Sequence, residues 1–174
     1  MLGLSGVKNT VTSSLMSQSD TSHIENAFPN LLTSGYVVTS PDLPDYNCVA
    51  WAANDQTRWW QPPSHIGGTF WPSKAPQEET LRSWIGMFRL EGYATCDLEK
   101  YEVGFEKIAI FSDADDLPTH VARQLVLGKW TSKLGEWEDI EHNDLAGLEG
   151  DLYGTVAVIM KRPIASQPNL PNIQ

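Results

Sequence analysis

The chain is short of cysteine, of positive charge and of long apolar runs, and each shortage excludes a class of protein. Cysteine occurs only twice in 174 residues, at Cys48 and Cys96. Scaffolds stapled by disulfides carry more than one pair, so both residues read as free thiols of a reducing compartment. Lys and Arg number 12 against 22 Asp and Glu, giving a net charge of −10. Such a surface repels phosphate backbones, which argues against nucleic acid as a partner. No stretch approaches the roughly 18 consecutive apolar residues of a membrane span. The first 20 residues hold one Lys and no apolar segment of signal-peptide length. The expectation is a cytoplasmic protein with no membrane partner, specialised export being left open.

Other signals are missing too. No Gly-rich phosphate loop or dinucleotide fingerprint follows a strand-like segment, and there is neither Cys-x-x-Cys nor His-Glu-x-x-His, so no cofactor and no metal is expected. Asp113, Asp115 and Asp116 lack the glycine and the distal glutamate of a calcium loop and read as a polar turn.

What is present suits one folded domain. The apolar fraction is 41% and there are seven Trp, ample material for a core in a chain of single-domain length. Residues 1–22, rich in Ser and Thr, read as a disordered lead-in, residues 23–164 as the domain, and residues 165–174 as a Pro- and Asn-bearing tail.

Within the domain, residues 35–39 read as a short extended segment. Pro41 and Pro44 interrupt it, and a helix then starts at Cys48 with Asn47 as its N-cap. Leu81, Trp84, Ile85 and Phe88 fall on one stripe of a helix over 77–91, closed by Gly92. After that the period changes to that of strands, at 107–111, 119–125, 130–133 and 155–160, with a helical piece at 143–148. Helices first and strands afterwards indicate an α+β domain with an antiparallel sheet.

Two positions stand out chemically. A thiol at a helix mouth meets unpaired backbone N–H groups and the positive end of the dipole, which favour its thiolate and can hold an oxyanion. A nucleophile of this kind needs a base, usually histidine. His23 and His65 lie in segments that read as surface, whereas His120 opens a strand on which Ala122 shares its face and leaves space beside the imidazole. His142 and Asp139 are chemical candidates for the group that orients the base, on a segment (136–141) whose charges otherwise read as a solvated face. Lys133 reads as the exposed side of its strand. Trp59, Trp60, Phe70 and Trp71 cluster in a Pro-rich loop, either as a groove or as a second small core. With Tyr46, the first two and Trp71 are candidate contacts for a peptide or peptidoglycan-like substrate.

A Cys at a helix start in Asn47-Cys48-Val49-Ala50, then His120-Val121-Ala122, a turn at Gly128 and Trp130-Thr131-Ser132 resemble the papain-like fold, and more narrowly the NlpC/P60 and CHAP-type peptidases and amidases. The resemblance implies N-terminal helices packed on an antiparallel sheet, with Cys48 as nucleophile and His120 as base. It puts the orienting residue at Ser132, twelve residues after the histidine. It departs from the family at Asn47, where Asp is usual, at Val49-Ala50 in place of Ser-Gly, and at the insertion over 58–76. The implied activity is cleavage of an amide or isopeptide bond. An acyl transferase or deamidase would use the same residues, and a catalytically inactive peptide- or protein-binding domain, or a delivered effector, are the alternatives.

Overall fold

The computed structural model describes residues 20–63 and 67–164. The expected lead-in, apart from its last three residues, and the expected tail lie outside the described residues, as does His65. Element order is α1 (Ser22–Ala27), α2 (Leu31–Ser34), β1 (Tyr36–Val38), α3 (Cys48–Ala52), α4 (Leu81–Leu90), β2 (Ala94–Cys96), β3 (Phe105–Ser112), β4 (Pro118–Gln124), β5 (Trp130–Lys133), β6 (Asp139–His142), a 3-10 turn (Leu145–Leu148) and β7 (Thr155–Pro163). The seven strands form one antiparallel sheet in the order β1-β6-β5-β4-β3-β7-β2. The domain is therefore α+β with an antiparallel sheet, as its element order suggested.

Alternation along the central strands buries both faces of the sheet. Ile108, Ile110 and Val121 face a core built with α3, α4 and the aromatic loop, including Val49, Trp60, Trp71, Met87 and Phe88. Ala109, Phe111 and Ala122 face the opposite way, onto Ile24, Phe28 and Leu31 of α1–α2 and Leu145 and Leu148 of the 3-10 turn. A sheet covered on both faces must carry near-continuous apolar central strands, and β3 is buried from Lys107 to Ser112 and apolar from Ile108 to Phe111.

Several expectations change. Residue 22 belongs to α1, not to the lead-in, and His23 is held there by Glu138 at 3.0 Å with its ring edge-on to Trp137. The helix expected over 77–91 begins only at Leu81, because Thr80 is extended and caps it by accepting from the Ser83 N–H. Its end is as expected. Gly92 takes φ +87°, and the Tyr93 N–H returns to the Phe88 carbonyl in a Schellman closure. Only the start of the acidic segment is a solvated face: Glu136 is exposed, whereas residues 139–142 form β6, between β1 and β5, and Asp139 and His142 are buried. Lys133 is likewise fully buried rather than exposed, its ammonium donating to the Trp137 carbonyl, 4.0 Å from Asp139 Oδ1 and 4.9 Å from the Tyr46 ring.

Candidate active site

The thiol is positioned by its own local sequence. Asn47 is extended (φ −113°), so its side chain turns back to accept from the Ala50 N–H at 3.1 Å and starts α3 at Cys48. The same amide pairs with the aromatic loop, accepting from the Trp60 N–H at 3.1 Å and donating to the Trp60 carbonyl at 2.9 Å. An aspartate could cap the helix but could not make the donating bond. That accounts for the departure at this position from the pattern of the resembled family.

Cys48 is 8% exposed. Burial pushes its thiol up to about 11, against the backbone N–H groups of Val121, Val49 and Cys48 itself, which favour the thiolate. Val121 is the residue after His120, and α3 packs against β4 here. The β4–β5 ladder pairs only Arg123 with Thr131 and Gln124 with Trp130, and so stops short of this point.

The imidazole leaves β4 on the opposite face. His120 is fully buried, stacked on Tyr153 with centroids 4.2 Å apart and edge-on to Phe111. Its Nε2 lies 3.0 Å from Ser132 Oγ, which lies 3.0 Å from His142 Nε2, and His142 Nδ1 lies 2.7 Å from the Asp144 carbonyl oxygen. Three adjacent strands thus supply one continuous hydrogen-bonded row. Burial holds His120 well below the ordinary histidine range, with a smaller push from His142, and takes His142 down to about 4. Both rings are neutral at pH 7. Among the described residues His120 Nδ1 has no hydrogen-bond partner, an uncommon condition for a buried polar atom.

The structure therefore brings Ser132 and His142 to His120 together, so the two leading candidates for the orienting group are members of one chain. Asp139 is not part of it. Its Oδ2 accepts from the Tyr46 hydroxyl at 2.6 Å, on the α3 side of the sheet. Trp60 and Trp71 are core residues and present no face to a groove, while half-buried Trp59 donates its indole N–H to the Pro44 carbonyl. Tyr46 does line a cavity of about 500 Å³, with Trp51, Arg123, Thr131, Asp139 and Glu141. Neither Cys48 nor His120 lines it.

Sequence reasoning missed Tyr153. The residue follows Gly150 and precedes Gly154, which closes a tight bridge back to Gly150. Gly154 has φ +71°, and a Cβ there would fall 1.9 Å from the Ser112 carbonyl oxygen. This fixed turn sets the phenol on the His120 ring and close enough to Cys48 for a thiolate to raise the tyrosine's own pKa further. The glycines flanking an aromatic residue were the available signal.

Among the described residues no three or more His, Cys, Asp and Glu side chains gather as a metal site, and no helix is long and apolar enough to cross a membrane. A family model described as "Domain of unknown function (DUF7689)" matches residues 37–161, which include Cys48, His120, Ser132, His142 and Tyr153. No curated protein and no solved structure matches the chain.

Proposed function

The chain belongs to the DUF7689 family, and from the site itself we propose that it is a papain-like cysteine hydrolase that cleaves an amide or isopeptide bond in a peptide-like substrate. The observation that carries this reading is His120. One ring nitrogen is tied to Ser132 and the other is untied, and the N–H of the next residue, Val121, is among the groups that favour the Cys48 thiolate.

In this reading His120 Nδ1 takes the thiol proton and the sulfur attacks the scissile carbonyl, forming a C–S bond. The N–H groups at the mouth of α3 hold the developing oxyanion. The C–N bond then breaks as the imidazolium returns the proton to the leaving amine, and water, deprotonated by the same ring, hydrolyses the thioester. Ser132 keeps the imidazole in place throughout. The described form is closed: the thiol is raised by burial and is no hydrogen-bond partner of His120 Nδ1, and Tyr153 covers the ring, so turnover requires the segment around Tyr153 to open and the sulfur and Nδ1 to come together.

The depth of Cys48 favours a second reading, a binding domain of the same fold that performs no chemistry. Iodoacetamide labelling across pH, read by mass spectrometry, separates the two. The hydrolase predicts that His120→Ala slows the labelling of Cys48 by roughly 10²–10⁴-fold, the usual contribution of a general base, while Cys96 labels as before. A Cys48 rate that is the same in both proteins would leave only the binding domain.

A further inference from the structure

We infer that His142 is a positioning residue: acting through Ser132, it fixes His120 in the tautomer that carries its proton on Nε2 and leaves Nδ1 as a bare lone pair. The inference rests on the proposed role of His120 for its purpose, but not for its content, which follows from hydrogen-bond direction between two neutral rings.

The direction is set at one end of the row. A backbone carbonyl only accepts, so the 2.7 Å contact between the Asp144 oxygen and His142 Nδ1 requires the proton on Nδ1. A neutral imidazole carries one proton, which leaves His142 Nε2 bare, and the Ser132 hydroxyl must donate to it. A hydroxyl has one hydrogen. With that hydrogen spent, Ser132 Oγ can only accept from its other neighbour, so His120 donates from Nε2. His120 Nδ1 is then the deprotonated nitrogen, and it is the atom with no partner.

The opposite arrangement fails at the same end. A proton on His142 Nε2 would turn the Ser132 hydrogen toward His120 and put the His120 proton on Nδ1. It would also set the bare His142 Nδ1 against the Asp144 carbonyl, lone pair facing lone pair. A backbone oxygen just beyond β6 thus decides, through two side chains, whether the nitrogen of His120 that is not tied to the row is a base or an acid. A serine suffices beside the imidazole because it transmits direction from a second histidine, where an Asn or Asp in its place would supply direction itself.

The test is nitrogen-detected NMR of the histidine side chains in the full chain labelled with ¹⁵N, at pH 7, where long-range proton–nitrogen correlations distinguish bare from protonated ring nitrogens. Expected are a protonated Nε2 and bare Nδ1 for His120, and the reverse for His142. In His142→Phe, which removes the acceptor for the Ser132 hydrogen, the His120 pattern should collapse toward a mixture while its neighbours' signals stay in place. Finding His120 protonated on Nδ1 in the unmodified chain, or unchanged in His142→Phe, overturns the inference. The readout needs no activity: an unreactive Cys48 beside the expected tautomers would sink the hydrolase and leave the relay standing. A reactive Cys48 beside the reverse tautomers would do the opposite.

Discussion

The two faces of β4 hold the two halves of the candidate site and are built on opposite plans. On the α1–α2 face His120 sits in a polar row of three strands, every atom directed but one. On the α3 face Cys48 sits in an apolar core of Val49, Trp60 and Trp71 that pushes its thiol up to about 11, with only backbone N–H groups to favour its charge. Hydrogen bonds supply direction and apolar burial supplies concealment, so in the proposed reading one face carries a base already arranged and the other a nucleophile still masked. The contrast is a physical account of a resting state.

Acid should break the ordered face with the largest effect. Burial takes His142 from its ordinary 6.5 down to about 4, and His120 is displaced in the same direction. Between those pH values an unfolded chain binds a proton at His142 that the folded chain refuses, so stability rises with pH across the window. It is fully present above about 6.5 and is lost as pH falls through 4. The His142 contribution alone amounts to roughly 3 kcal/mol. Urea melts at pH 7.5 and 4.5 measure it, and His142→Phe should flatten the slope. An equal pH dependence in both proteins would mean that the row is not desolvated as described.

The masked face should yield to Tyr153→Ala. The tyrosine stacks on His120 nearly face to face, 5° from parallel, and such ring pairs contribute about 0.5–1.5 kcal/mol. Removing it should raise the open population, and with it the alkylation rate of Cys48, by up to about tenfold, the ratio that 1.4 kcal/mol represents. Cys96, in the short edge strand β2, should label as before. An unchanged Cys48 rate in a folded variant would show that the cover lies elsewhere.

How much could be read beforehand differed between the same two faces. The α3 start with its Asn47 cap, the Gly92 closure and the strand 130–133 were legible because each is decided by a few neighbouring residues. β6 was not. Asp139-Ile140-Glu141-His142 reads as a charged run, and only tertiary partners make it a buried strand: Tyr46, 93 positions away, bonds Asp139, and Ser132 bonds His142. Lys133 was misread for the same reason, since its ammonium donates to a carbonyl and has a carboxylate 4.0 Å away, both brought to it by the fold. The His120–Ser132 pairing came from resemblance to a family, because contacts across strands have no period to reveal them, and the glycines around Tyr153 marked a turn without showing what its ring would meet.

The smallest effect tests why the masked face begins with asparagine. Asn47→Asp keeps the N-cap, at which the two residues are equivalent, and gains slightly from the helix dipole. It loses the bond donated to the Trp60 carbonyl and sets two acceptors against each other in a buried place. The unmade bond outweighs the dipole, so a net loss of about 1 kcal/mol is expected in a urea melt. The added charge beside the helix mouth should also raise the Cys48 thiol further and slow its alkylation at pH 7. A variant of unchanged stability would mean that Trp60 is held by its ring packing alone, and the amide of Asn47 would then be a cap and nothing more.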